Sequence, residues 1–107
     1  YRQTLEDLVC RTRQKVKGIV LMTPYYMEPN ANDFMRAKMD EYGAVCKELA
    51  EKYGCIFVDL QNIFSRYCSI RHSSYLAWDR VHPNQVGATL IALEWLKHCG
   101  LERIELR

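Results

Sequence analysis

Gly18-Ile19-Val20-Leu21-Met22-Thr23-Pro24 and Cys55-Ile56-Phe57-Val58-Asp59 decide the fold. Each sets a short, unbroken apolar run between chain-breaking or polar residues. Continuous rather than alternating hydrophobicity marks a strand covered on both faces, as in a parallel sheet. Between the two runs, Met35, Met39, Tyr42, Cys46, Leu49 and Tyr53 recur in steps of four and three. That is the stripe of an amphipathic helix. Asn32 suits its N-cap and Asp33 its first turn. Gly54 suits the left-handed position that closes it, and Glu48 and Lys52 are spaced to pair on its outer face. Strand, helix, strand predicts an α/β layer with a parallel sheet.

The flanking segments extend the same pattern. Upstream, residues 3–16 read as a helix capped by Thr4, with Leu5, Leu8, Val9 and Thr12 on one face. Downstream, Asp59 ends the second strand and can cap a short helix carrying Leu60, Ile63, Phe64 and Tyr67 on one side. A polar loop follows from Ser69 to about Trp78. The last helix is predicted from Pro83-Asn84 to about Cys99, with Val86, Leu90, Leu93 and Leu96 inward and Gly100 as its stop. Leu101 to Arg107 reads as a strand or a frayed tail. Two strands make a poor sheet. Each first-strand side chain left without its neighbour costs roughly 1.5–3 kcal/mol. Two or three of them approach the whole stability of a domain, about 5–15 kcal/mol. The expectation is more sheet, from a missing N-terminal half or from a second copy as a homodimer partner.

The chain has 107 residues, 49% apolar and 26% charged, with a net charge of +2. Such a composition suits one small domain or part of a larger one. It excludes disorder, collagen and a disulfide miniprotein. No apolar run nears the ~18 residues of a membrane span. A charge this small points to no nucleic-acid partner, and Arg11, Arg13, Lys15 and Lys17 read as a solvated face. Cys10, Cys46, Cys55, Cys68 and Cys99 have no C-x-x-C pairing, so they read as free thiols in a reducing, cytoplasmic setting. The start, Tyr1-Arg2-Gln3-Thr4, carries neither an initiator Met nor a signal peptide. It reads as the interior of a longer chain, for which an upstream signal stays open.

Asp79-Arg80-Val81-His82-Pro83 is the stretch that carries chemistry. An aspartate and a histidine three apart, ahead of a helix, can set the carboxylate beside the imidazole. The carboxylate fixes the ring tautomer, and the other ring nitrogen is free to take a proton from a nucleophile. Pro83 keeps His82 out of the helical region, so the ring is presented from a loop. The plainer alternative is a helix-entry loop with Asp79 as a surface cap. Tyr25, Tyr26 and Met27 follow the first strand, where ligands gather in parallel α/β folds. They either line a substrate pocket or cover the core. Trp78 either walls the site or anchors the loop. His72 with Cys68, and His98 with Cys99, lack metal-ligand spacing, so no metal site is expected. His98 suits the C-terminal end of its helix.

The closing run Asp79-Arg80-Val81-His82-Pro83-Asn84-Gln85-Val86-Gly87-Ala88, followed by Ile91-Ala92, resembles the last motif block of the SGNH (GDSL-type) hydrolases. The strand ending Thr23-Pro24, the long helix and Ile56-Phe57-Val58-Asp59 are similar to that family too. The resemblance spans the chain but matches only the C-terminal half of the family's domain. Many members have His where Ala88 stands, a position outside the triad. The resemblance implies a partial three-layer α/β/α, flavodoxin-like fold with its N-terminal strands missing, residues 1–107 being the C-terminal part of one hydrolase domain. It implies His82 as general base and Asp79 as its orienting carboxylate; in that reading Tyr25, Tyr26 and Trp78 are the candidates for the substrate side, and no cofactor is needed. The substrate would be a carboxylic ester of a lipid, an acetylated sugar or a small acyl group. The family's Gly-Asp-Ser nucleophile block, oxyanion glycine and Gly-x-Asn-Asp block do not occur in these residues. Ser65, Ser69, Ser73 and Ser74 lack the strand-to-helix setting of that nucleophile, so little esterase activity is expected of the chain alone. Two non-catalytic readings stand beside this one: a truncated fragment that self-associates through an open sheet edge, and a small ligand-binding module using the Tyr25–Met27 loop.

Overall fold

A computed structural model describes residues 1–100; the expected strand or tail at 101–107 lies outside them. Helix α1 (Arg2–Thr12) leads to strand β1 (Val20–Met22), helix α2 (Phe34–Tyr53), strand β2 (Ile56–Val58), helix α3 (Leu60–Cys68), a 3-10 turn (Ser73–Tyr75) and helix α4 (Gln85–His98). The strands pair in parallel, with Val20 opposite Ile56, Leu21 opposite Phe57 and Met22 opposite Val58. Helix α2 is the crossover that parallel pairing requires.

Side chains on successive strand residues point to opposite faces, and two cores result. On one face Leu21 packs with Val9 of α1 and Leu49 and Ala50 of α2, with Ile19, Cys55 and Phe57 around them. On the other, Val58 packs with Met27, Leu60, Phe64, Leu76 and Ala77, with Val20, Leu90 and Ile91 against them. These are the three layers of an α/β/α architecture: α1 and α2, the sheet, then α3 and α4. The sheet has two strands among the described residues. Met22 and Ile56 on it stay exposed, as do Leu8, Phe34, Met35, Val86 and Leu93 on the helices.

Several local expectations need correction. Helix α1 starts at Arg2 without a side-chain cap and stops at Thr12, so Thr4 lies inside its first turn. Its buried residue is Val9, while Leu8 faces solvent. Asp33, not Asn32, caps α2 by accepting from the Arg36 N–H at 3.0 Å; the Asn32 N–H donates to Asn30 Oδ1 instead. Glu48 and Lys52 do not pair with each other. Glu48 bonds Arg2, and Lys52 reaches Glu6 at 3.0 Å, so both reach across to α1. Met35 of the expected stripe is exposed, whereas Cys46 and Leu49 are buried. The segment read as a polar loop contains Leu76 and Ala77, which are fully buried. Val86 and Leu93 of α4 point outward; Leu90 faces the core as expected, and Ile91 joins it there. In each case a neighbouring element, rather than the helix's own periodicity, decides which side is inside.

Two capping expectations, Gly54 and Asp59, match; Asn84, expected only at the helix start, is a third cap. Gly54 closes α2 at φ +66°. Asp59 accepts from the Asn62 N–H at 3.0 Å, and Asn84 accepts from the Gly87 N–H at 3.0 Å. Gly87 is also needed for space. A Cβ there would lie 2.8 Å from Pro83 Cβ and 3.0 Å from the Leu76 carbonyl oxygen. Alanine favours a helix interior by about 1 kcal/mol, but overpacking against backbone costs about 1–3 kcal/mol. Gly87→Ala should therefore lower the melting temperature despite its better helix propensity. An unchanged or raised value would show that α4 can back away from Leu76 freely.

Candidate active site

The loop between the 3-10 turn and α4 holds both Asp79 and His82, and its geometry starts at Asp79. One carboxylate oxygen, Oδ1, accepts from the backbone N–H groups of Val81 at 2.9 Å and His82 at 2.8 Å. The other, Oδ2, lies 2.5 Å from His82 Nδ1. The two residues expected to work together are thus brought together. The hydrogen bond from the His82 ring, then the N–H groups of His82 and Val81, hold the Asp79 carboxyl well below the usual carboxylate range. Asp79 is therefore ionised at neutral pH and can only accept. A neutral His82 ring must carry its proton on Nδ1, which leaves Nε2 as the free base. The imidazole is 85% exposed and open to a reacting group.

The loop bends through Arg80, which has φ +66°, the left-handed region that a non-glycine residue rarely adopts. The bend lets one carboxylate oxygen collect two consecutive N–H groups. The segment after β1 lies against this loop. The Tyr25 hydroxyl donates to the Val81 carbonyl at 3.2 Å, and the Met27 N–H donates to the Arg80 carbonyl at 3.0 Å. Tyr25 also stacks on Phe64 with centroids 4.6 Å apart. Burial, then the nearby Asp79 charge, pushes its hydroxyl pKa up. Tyr26 lies beneath the Arg80 guanidinium, 5.9 Å from centroid to carbon. Met27 is buried in the core. Trp78 is 95% exposed beside Asp79, so it does not anchor the loop to the described residues.

Sequence reasoning passed over Gln61. Its side chain is buried and grips the loop after β1 from both sides. Oε1 accepts from the Tyr26 N–H at 2.7 Å, and Nε2 donates to the Tyr26 carbonyl at 3.0 Å. Its own N–H donates to Thr23 Oγ1 at 3.2 Å. A polar residue between the core positions Leu60 and Phe64 was the available signal.

No serine among the described residues makes a hydrogen bond to His82. The Ser65 hydroxyl accepts from Gln61 at 3.1 Å, Ser69 donates to the Arg66 carbonyl at 2.6 Å, and Ser73 is buried. Ser74 Oγ lies 3.0 Å from His72 Nδ1. There His72 caps the 3-10 turn by accepting from the Ser74 N–H, which is a local turn contact. His98 bonds back to the Glu94 carbonyl at 2.9 Å, in the last turn of α4. Among the described residues no three His, Cys, Asp or Glu side chains gather as metal ligands, and no helix is long and apolar enough to cross a membrane. A cleft of about 360 Å³ lies beyond the ends of both strands, between Thr23, Arg36, Asp40, Asp59 and Gln61. It does not include Asp79 or His82.

A carboxylate ordered in this way beside an imidazole with an exposed Nε2 is an arrangement able to serve as a general base with an orienting group. Residues 1–90 match the profile of the GDSL-like lipase/acylhydrolase family. An acetylxylan esterase of Geobacillus stearothermophilus is 44% identical over the whole chain, which spans about half (49%) of that relative's length. Its crystal structure superposes with a TM-score of 0.94, covering 100% of this chain and 49% of that one. An alpha/beta hydrolase enzyme from the metagenome of Lake Arreo, Spain, is 47% identical with a TM-score of 0.93, covering 97% of this chain and 48% of that one.

Proposed function

The chain belongs to the GDSL-like lipase/acylhydrolase family, and from that premise we propose that residues 1–107 are the C-terminal part of a serine esterase domain, to which they supply Asp79 and His82. The 2.5 Å contact between Asp79 Oδ2 and His82 Nδ1, with Nε2 left exposed, carries the proposal. The Geobacillus stearothermophilus esterase supports it. That enzyme has been solved as catalytic mutants at a serine, at an aspartate and at a histidine three positions after the aspartate. The spacing of its last two is that of Asp79 and His82. Its serine lies further upstream of the aspartate than these 107 residues reach.

A serine hydroxyl from outside these residues attacks the ester carbonyl carbon while His82 Nε2 takes its proton. Asp79 stabilises the imidazolium through Nδ1 and remains a carboxylate. The tetrahedral intermediate collapses, the C–O bond to the alcohol breaks, and His82 returns the proton to the leaving oxygen. Water then repeats the sequence on the acyl-enzyme, freeing the acid and the serine. The resemblance to an acetylxylan esterase favours an acetylated sugar within the wider range of carboxylic esters. Tyr25 and Tyr26 hold the loop side of the site, and Trp78 is free to face the substrate.

Joining the upstream half of the Geobacillus stearothermophilus esterase to residues 1–107 should produce a chimera that releases acetate from acetylated xylo-oligosaccharide. A folded chimera with no turnover on this substrate or on a small acetyl ester would overturn the proposal. The exposed β1–β2 sheet also supports a second reading, in which a copy of the chain covers the open edge. That reading predicts a dimer by sedimentation, and a fully folded monomer at micromolar concentration would exclude it.

The ionisation of Asp79 gives a pH test. Its folded-state pKa is lowered, so the stabilisation it confers is complete above its unfolded value of about 3.9. It disappears only as pH falls through the lower folded value. The Asp79 carboxyl carbon shift should therefore show no titration of its own centred near about 3.9, and one centred there would show that the bonds to His82 and Val81 do not form.

A further inference from the structure

We propose that Glu28 and Arg80 are positioning residues that set the Asp79–His82 pair from outside it, through a salt bridge between the loop after β1 and the catalytic loop. The inference rests on the reading of Asp79 and His82 as the catalytic pair and goes beyond it in assigning two residues that touch neither substrate nor reacting atoms.

Arg80 holds φ +66°, and such a conformation persists where surrounding contacts over-determine it. Four contacts converge on this turn. Arg80 Nη1 donates to Glu28 Oε2 at 2.8 Å. The Arg80 guanidinium lies over the Tyr26 ring. The Arg80 carbonyl accepts from the Met27 N–H at 3.0 Å. The next carbonyl, of Val81, accepts from the Tyr25 hydroxyl at 3.2 Å. Four consecutive residues, Tyr25 to Glu28, thus grip two consecutive residues of the loop.

That gripping segment is itself fixed. Gln61 of α3 holds both polar groups of the Tyr26 backbone. Arg36 of α2 donates through Nη1 to the Glu28 carbonyl at 2.8 Å, and its Nε is tied to Asp40 at 3.0 Å. Glu28 Oε1 accepts from the Asn30 N–H at 3.2 Å, which orients the carboxylate. The contacts run from α3 through Tyr26 and from α2 through Glu28 to Arg80, one of the two residues between Asp79 and His82. Glu28 is 19% exposed and Arg80 45%, and pairs at such partly exposed sites add little to stability. Their geometry gives them a different role: they keep the Val81 and His82 N–H groups aimed at Asp79.

The test reads the ring directly, without esterase activity. In the 15N-labelled protein of these 107 residues, His82 should show the Nδ1-protonated tautomer and a downfield Nδ1 proton. Glu28→Gln and Arg80→Gly should each weaken or remove that proton signal and mix the ring tautomers. Arg80→Gly relieves the backbone strain, so it should do this without lowering the melting temperature. The charge-swapped Glu28→Arg/Arg80→Glu pair should restore a greater part of the signal than either single swap. Glu41→Gln, on the far side of α2, is the control and should change nothing. An unchanged His82 ring in both Glu28→Gln and Arg80→Gly would overturn the positioning role while leaving the catalytic pair standing. A wild-type ring without the Nδ1 tautomer would overturn the pair itself and the positioning proposal with it.

Discussion

His82→Ala, introduced into the chimera that supplies the upstream serine, should lower ester turnover by roughly three orders of magnitude or more. Without the imidazole, no group in the described loop can take the serine proton at neutral pH. Asp79→Asn should be nearly as severe, about 10³–10⁴-fold, because an amide at that position permits the wrong ring tautomer. The double variant should be no worse than His82→Ala alone, since residues acting as one unit lose their effect together. Both side chains are largely exposed, so neither change should move the melting temperature much. Turnover within a few-fold of wild type in His82→Ala would remove His82 from the mechanism.

Phe64→Ala should cost about 3–5 kcal/mol, a large part of the 5–15 kcal/mol that holds a typical domain together. Phe64 is fully buried and sits in one cluster with Met27, Val58, Leu60, Leu76 and Ala77. Its removal leaves a cavity walled by α3, the sheet and the segment leading to Asp79. The effect should not be confined to stability. Tyr25 rests on the Phe64 ring and reaches the Val81 carbonyl, so loss of the ring also loosens the loop that holds Asp79 and His82. Urea unfolding monitored by Tyr and Trp fluorescence measures the cost. A loss below about 1 kcal/mol would mean that this half of the core is not packed as described.

Both effects were legible in the residues to different degrees. The strands and the crossover helix were readable because Val20–Met22 and Ile56–Val58 are short apolar runs between breakers, and Gly54 and Asp59 mark the junctions. The Asp79–His82 pairing was readable because both residues lie in one loop, and three residues of chain suffice to close the contact. Leu76 and Ala77 were not readable as core. No periodicity distinguishes two apolar residues at the end of a polar segment, and their burial comes from α3 and α4 folding over them. Leu8, Met35, Val86 and Leu93 misled in the opposite direction. Their spacing is that of an inward face, yet the described elements leave them exposed. The grip of Tyr25–Glu28 on Arg80 was invisible for a different reason. It joins residues about fifty positions apart, partly through backbone groups that every sequence possesses.

The most direct measurement is the intact mass of the 107-residue chain after treatment with a fluorophosphonate probe, beside the chimera treated in the same way. The probe labels a serine only where a base and oxyanion donors activate it. The chain alone should give no adduct, and the chimera one adduct per molecule, at the upstream serine, lost in His82→Ala. A stoichiometric adduct on Ser65, Ser69, Ser73 or Ser74 of the chain alone would contradict the claim that these residues supply only the aspartate and histidine of the site.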